Sequence, residues 1–285
     1  MIPAQFAYRR ASSVADAVAA LADPDAKVIA GGHSLLPMMK LRLARPGTLV
    51  DIQGLPLRGI AAGAGGVTVG ALTTHAQIAR SAALAGTALA AAAECAASVG
   101  DVQVRNAGTI GGSVAHGDPA SDAPAGLLAL DARIRVAGAS GEREVAAADW
   151  FQGPFWTALG EQELVSAVVF PTPAAGSGSA YASFEDPASG YPLAGAAALV
   201  TVAGGAVTAA RIGVTGVCGT PFRASGAEAA AVAGGDVVAA AKADLAAQDV
   251  FGDARFDAEY RRHVAAVVIG RAVAAARGRA QGGAQ

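Results

Sequence analysis

Cysteine is nearly absent from this chain of 285 residues: there are two, Cys95 and Cys218. Cys95 sits in an alanine-rich helical stretch and Cys218 follows a strand-like run, with no second cysteine or histidine near either at metal-ligand spacing. Both read as small buried hydrophobes rather than metal ligands. Aromatics make up only 5 % of the residues, the formal charge is −2, and no basic stripe is present, which argues against a nucleic-acid partner. Long apolar runs are missing too. The stretch LAGAAALVTVAGGAVTAARIGV, 193–214, is interrupted by Gly204-Gly205 and reads as two strands joined by a tight turn, so membrane insertion is not expected. The opening residues carry Asp16 inside their most apolar part and show no secretory signal, so the expected compartment is the cytoplasm. There is no HExxH, no Walker lysine after a glycine loop, no complete GxGxxG and no GxSxG elbow, which leaves a self-contained hydrolase or nucleoside triphosphatase without support.

What is present suffices for two domains with a substantial core. Helix and strand alternate over the first 55 residues: SVADAVAALAD with Ser12 or Ser13 as N-cap, the strand KVIAG, the helix LLPMMKLRL and the strand TLVDI predict a small parallel α/β unit. From 56 to 172, short β-prone runs (GVTVGALTT, ARIRVAG, REVAAADWF, ELVSAVVFP) and an alanine-rich helix at 82–98 predict a mostly antiparallel α+β subdomain. PTPAAGSGSA, 171–180, is expected to be irregular and to mark a domain boundary. Beyond it a hairpin or three-stranded meander, helices at 226–248 and 257–279, and a frayed tail RGRAQGGAQ are expected.

Two glycine pairs carry the chemistry. Gly31-Gly32 follows the strand VIA and precedes a helix starting near Ser34, a corner with uncovered amides and a positive dipole end that favours a phosphate. Taken alone it is equally well a tight turn. A second segment, RNAGTIGGSVAHGDPASD at 105–122, brings Gly111-Gly112, small polar residues, and the carboxylates Asp118 and Asp122. Two strand-edge glycine loops from different subdomains suit a dinucleotide whose diphosphate is held between backbone amides, with an acidic residue to accept from sugar or ribityl hydroxyls. Without a complete GxGxxG, FAD fits better than NAD.

AGGHSLLPMMKLR (30–42) and NAGTIGGSVAHGDPASD (106–122) closely resemble the FAD-binding medium subunit of the molybdenum hydroxylases, the xanthine dehydrogenase and aerobic carbon monoxide dehydrogenase family. GALTTHAQIA, ELVSAVVFP and YRRHVAAVVIGRAVAAA follow in the family's order. The resemblance implies an α+β fold. A two-subdomain FAD-binding domain of the vanillyl-alcohol oxidase (PCMH) type would occupy 1–172, divided at 55/56. A small C-terminal domain with a three-stranded antiparallel sheet and helices would occupy 178–285. It further implies non-covalent FAD on this chain, [2Fe–2S] clusters on a small subunit and a molybdopterin cofactor on a large subunit, commonly in a dimer of heterotrimers. Substrate oxidation would then occur on another chain, with electrons leaving through FAD to an external acceptor; no catalytic residue and no metal ligand is expected here.

Carried over by position, Ala30, Gly31, Gly32, His33, Ser34 and Leu35 would wrap the diphosphate, and Thr109, Ile110, Gly111, Gly112 and Ser113 would form the second phosphate and ribityl contact. His116 and Asp122 would touch ribityl or ring-proximal atoms, Leu164 would pack near the isoalloxazine, and Tyr191 would lie against it or be an ordinary strand aromatic. Two departures stand out: Ser113 replaces a common Asn, and Glu185 with Asp186 stand where many members carry positive charge, a change expected to disfavour the anionic reduced flavin. Three alternatives are weighed against this reading: a stand-alone oxidase with FAD attached through His33, an NADPH-dependent cell-wall precursor reductase of the same fold, and a flavin-free scaffold.

Overall fold

The computed structural model describes residues 2–282. Its first unit runs β1 (Ala7–Arg10), α1 (Val14–Ala20), β2 (Ala26–Ile29), α2 (Leu35–Lys40), β3 (Thr48–Asp51). Ser13 caps α1, its hydroxyl accepting from the Asp16 amide. The sheet order is β1-β3-β2, parallel throughout, with Leu49 and Val50 of the central strand buried. β1 carries no apolar pattern, all four of its residues being exposed. Its pairing with β3 and the Tyr8 hydroxyl on Asp51 define it.

Next come β4 (Ile60–Gly63), β5 (Gly66–Gly70), α3 (His75–Ala79), α4 (Ala90–Ser98), α5 (Val102–Ala107), α6 (Ile110–His116), α7 (Ala123–Ala129), β6 (Arg133–Gly138), β7 (Gly141–Ala146), β8 (Phe151–Gly153), β9 (Trp156–Thr157) and β10 (Glu163–Pro171). The main sheet is antiparallel in the order β4-β5-β10-β6-β7, and β8-β9 is a separate small hairpin. The alanine-rich helix expected at 82–98 begins only at Ala90, because Gly86 takes a positive φ and the Thr87 hydroxyl donates to the Leu84 carbonyl, closing a turn instead. REVAAADWF is likewise split: β7 stops at Ala146 and a single 3-10 turn, Ala147–Asp149, follows.

The last unit holds β11 (Ser177–Glu185), β12 (Pro192–Ala203), β13 (Ala206–Thr215), β14 (Phe222–Arg223), α8 (Ser225–Ala233), α9 (Val237–Ala246) and α10 (Ala258–Ala280). The expected meander is there, with Gly204 and Gly205 at positive φ in its tight turn and the two-residue β14 added at its edge. Three corrections follow. Ser177–Ala180, expected to be linker, opens β11: a Cβ at Gly178 would lie 2.5 Å from the Ala280 amide and 2.6 Å from the Ala276 carbonyl, so the glycine read as a breaker lets α10 seat directly on the strand. The helix expected at 226–248 is two, broken where Gly234 turns left-handed and Asp236 caps α9. Arg277–Ala280 of the expected frayed tail belong to α10; residues 283–285 lie outside the described residues.

β12 is apolar on both sides because both are covered. Ala194, Ala196, Ala198 and Val200 join α10 residues Ala265, Ile269 and Ala272, whereas Ala197 and Leu199 join Ala91 of α4 and Leu128 of α7. The C-terminal sheet is therefore one wall of the core of the second unit, and polar ties reinforce the seam. Glu94 of α4 pairs with Arg279 of α10 and accepts from the Tyr181 amide, and the Ser179 hydroxyl accepts from the Ala91 amide. No helix among the described residues is long and apolar enough to cross a membrane.

Candidate functional site

The first glycine loop leaves its amides free. β2 ends at Ile29, Gly32 takes φ +74°, and Ser34 caps α2 without a side-chain hydrogen bond. Among the described residues the N–H groups of Gly32, His33, Ser34 and Leu35 have no hydrogen-bond acceptor. Four consecutive unpaired amides curling around a left-handed glycine form a concave anion cradle. Leu35 packs behind it against the small cluster of Ile29, Met39 and Leu49, and Ala30 against the core under β3. His33 is exposed and its Nδ1 lies 2.9 Å from the Gly31 carbonyl. A carbonyl only accepts, so Nδ1 is the donor and the ring folds back on its own loop.

Gly31 is where the two glycine segments meet. A Cβ there would lie 2.8 Å from the Gly108 Cα and closer still to the Ala107 carbonyl oxygen. The second segment is not the strand-edge loop expected from sequence. It joins two helices: Asp101 caps α5, Thr109 caps α6, and Gly111-Gly112 form the first turn of α6. Its amides already have acceptors, Ile110 on the Thr73 carbonyl (3.1 Å), Gly111 on the Ala71 carbonyl (2.9 Å) and Gly112 on the Thr109 hydroxyl (3.2 Å). Thr109, Ile110 and Gly111 are buried, and Gly112 and Ser113 present the accessible surface. The two loops expected to share a diphosphate through amides thus divide the work: the first offers free amides, the second an open glycine surface and a hydroxyl.

That hydroxyl has a partner missed in the sequence. His75, 2 % exposed, places Nε2 3.1 Å from Ser113 Oγ, and its Nδ1 has no partner. Burial pushes its pKa down to about 4, so it stays neutral. The signal available was local: Thr74 and Gln77 form a capping box that starts α3 and turns His75 inward.

The acidic end is built across both sheets. Asp122, 4 % exposed, accepts from the Tyr181 hydroxyl of β11 at 2.7 Å and makes no capping bond at the head of α7. Burial raises its pKa to about 7, opposed by the tyrosine hydrogen bond and aided by the charge of Glu185. His116 stacks obliquely on Phe155 at 5.1 Å; burial lowers its pKa while Asp118 acts in the opposite direction. Tyr191 is 49 % exposed, and partial burial, with the charges of Asp118 and Asp122 adding to it, holds its phenol pKa up.

One expected site residue and one of the two acidic departures are placed otherwise. The Leu164 side chain is 2 % exposed and packs with Leu72, Ala137 and Val50 in the core, so it presents no face to a ring. Asp186 is not a bare charge: Arg255 grips both its oxygens at 3.1 and 2.6 Å, leaving exposed Glu185 as the uncompensated one of the pair. Both cysteines are free and buried, and burial raises both thiol pKa values. No cluster of three metal-ligating side chains occurs among the described residues. A shallow groove of about 560 Å³ between β13 and α8 holds Arg223 already paired with Glu228 and has none of the glycine-loop chemistry.

An amide cradle, a hydroxyl-accepting buried carboxylate and a half-exposed aromatic fit a flavin dinucleotide, and the comparisons agree. Residues 4–173 match the FAD binding domain in molybdopterin dehydrogenase, and residues 179–276 match the CO dehydrogenase flavoprotein C-terminal domain. The chain is 41 % identical to the carbon monoxide dehydrogenase medium chain of Afipia carboxidovorans, over 99 % of this chain and 100 % of that one. It is 37 % identical to the 6-hydroxypseudooxynicotine dehydrogenase complex subunit alpha of Paenarthrobacter nicotinovorans, over 99 % and 97 %. A structure of carbon monoxide dehydrogenase from Hydrogenophaga pseudoflava that lacks the Mo-pyranopterin moiety superposes with a TM-score of 0.93 at 40 % identity, covering 98 % of this chain and 99 % of that one. The chain therefore belongs to the FAD-binding medium subunits of the molybdenum hydroxylases, oxidoreductase complexes of the carbon monoxide dehydrogenase type.

Proposed function

We propose that this chain is the electron exit of a molybdenum hydroxylase, receiving electrons from [2Fe–2S] clusters on a small subunit and delivering them through FAD to an external acceptor, while a large molybdopterin subunit selects and oxidises the substrate. The observation that carries this is the run of free amides at Gly32–Leu35, directly after Gly31, whose backbone lies against Ala107 and Gly108. Bound FAD supplies a carrier that takes two electrons and can pass them singly. On this reading residues 1–172 form the flavin domain and 178–285 the C-terminal domain. The amides of Gly32, His33, Ser34 and Leu35 hold the diphosphate, with Ala30 and Gly31 as their support. Gly112 lets the dinucleotide approach, and Ser113, oriented by His75, donates its hydroxyl proton outward. Asp122 accepts from ribityl hydroxyls, His116 walls the same region, and Tyr191 covers the ring. Thr109, Ile110 and Gly111 are framework, and Leu164 contributes backbone alone.

The test is partner dependence. Co-expressed with the neighbouring small and large subunits, the chain is expected to co-purify one to one with each and to support substrate-dependent dye reduction. The FAD-loaded chain alone is expected to oxidise no organic substrate, and full turnover without partners would overturn the proposal.

The stand-alone oxidase alternative gains no support, since the similar proteins are medium chains or subunits of complexes. His33 checks it directly. Its Nδ1 is engaged with its own loop, so acid precipitation is expected to release all flavin absorbance near ~450 nm into the supernatant. Flavin left in the pellet would favour the covalent reading.

A further inference from the structure

The turn that carries Tyr191 is fastened by a residue of the chain's far end. Glu185 and Pro192 close β11 against β12, and residues 186–191 make the connection. Within it the Asp186 amide donates to the Tyr191 carbonyl at 2.8 Å, and the amides of Ser189 and Gly190 donate back to the Asp186 carbonyl at 3.2 and 2.8 Å. The Asp186 carboxylate, in a residue only 5 % exposed, accepts from the Ala188 amide, the Ser189 hydroxyl and both terminal nitrogens of Arg255. Arg255 comes from the segment between α9 and α10 and is itself braced. Asp253 accepts from the Arg255 and Phe256 amides and from the buried Arg261 of α10, and the Arg255 guanidinium lies 5.4 Å from the Phe256 ring centroid. The guanidinium therefore meets the carboxylate from a pre-set position, with the two-pronged geometry that a lysine cannot reproduce.

We propose that Arg255 is a positioning residue for the flavin-facing turn: its grip on Asp186 sets where the Tyr191 ring lies. Without it, a nearly buried carboxylate keeps only one amide and one hydroxyl and is relieved by swinging to water, which unfastens the same residue whose amide closes the turn on Tyr191. The inference rests on the reading above that Tyr191 covers the ring.

The test uses the full chain loaded with FAD and reads the emission of bound flavin, which a tyrosine ring in contact quenches by electron transfer. Tyr191→Leu is expected to raise the emission per bound FAD. Arg255→Met is expected to raise it by the same factor, Arg255→Lys by less, and the double variant no further than Tyr191→Leu. Amide exchange at Asp186 and Gly190 is expected to quicken about tenfold or more in Arg255→Met while α10 stays protected, which separates an unfastened turn from a misfolded chain. Unchanged emission and exchange in Arg255→Met, with Tyr191→Leu responding, would overturn the clamp alone. Unchanged emission in Tyr191→Leu at full FAD occupancy would overturn the placement of Tyr191, and the proposal with it.

Discussion

Gly31→Ala is expected to cost the protein both its flavin and its stability. The added Cβ meets backbone, the Ala107 carbonyl and the Gly108 Cα, rather than the free end of a side chain. Nothing there can rotate away, so the seam between the two glycine segments must open. Overpacking of this kind costs about 1–3 kcal/mol, and for a chain of this size that lowers the thermal midpoint of the flavin-free protein by about 2–5 °C. FAD titration of the surviving folded protein is expected to show little or no binding, because the cradle at Gly32–Leu35 is aimed by that seam. Gly112→Val separates the two losses. A Cβ at Gly112 meets only the Thr109 hydroxyl at 3.0 Å and otherwise faces outward. The variant is expected to melt near the wild-type midpoint without flavin yet bind FAD about a hundredfold more weakly, from obstructed approach. Normal FAD content in Gly112→Val would remove α6 from the cofactor site.

The second large effect is a pH dependence hidden by two buried groups that oppose each other. Asp122 has its pKa raised to about 7 from 3.8, so between about pH 4 and 7 the folded chain holds a proton that the unfolded chain has lost. Stability from this group is full below pH 4 and falls as pH rises toward 7, by up to about 1.4 kcal/mol per unit. His75, pushed down to about 4 from 6.5, does the reverse: the unfolded chain holds the extra proton, and stability rises with pH over that window. Between pH 4 and 6.5 the two slopes largely cancel in the wild type. Asp122→Asn is expected to uncover the His75 slope, so that the variant gains on wild type steadily from pH 4 to 7 in denaturant unfolding. A constant offset between the two proteins across that range would show that Asp122 titrates normally. FAD binding follows the same logic. Hydroxyl donors at the carboxylate favour its ionised form, so binding below pH 7 releases a proton, and affinity is expected to climb with pH and level off near 7.

Local pattern was enough for most elements of the fold. Periodicity placed α1, β2, α2 and β3, the short β-prone runs placed β5, β6 and β10, and Gly204-Gly205 divided an apolar stretch into β12 and β13. These features depend on neighbours a few residues away, so a single chain reports them. β1 was invisible because it has no buried face and exists only through its partner β3. Glycine was ambiguous for the same reason. Gly178 and Gly86 look alike in sequence, yet one sits inside a strand under α10 and the other ends a turn, a distinction made by what packs against each.

The site divides along that line too. The Gly-Gly-His-Ser corner and the Thr-Ile-Gly-Gly segment were legible as residue types, and their resemblance to one family named the cofactor. Only the tertiary structure decided which amides are free and which are spent on Ala71 and Thr73, since hydrogen-bond accounting needs the partner strand. It buried the Leu164 side chain, set His75 behind Ser113, and brought Tyr181 to Asp122 from the other sheet. It also divided the Glu185–Asp186 pair: as sequence they are two adjacent negative charges, and in space Arg255, 69 residues further on, neutralises one of them. Charge type is written in the chain, whereas the field it produces depends on distance and burial, which only folding sets.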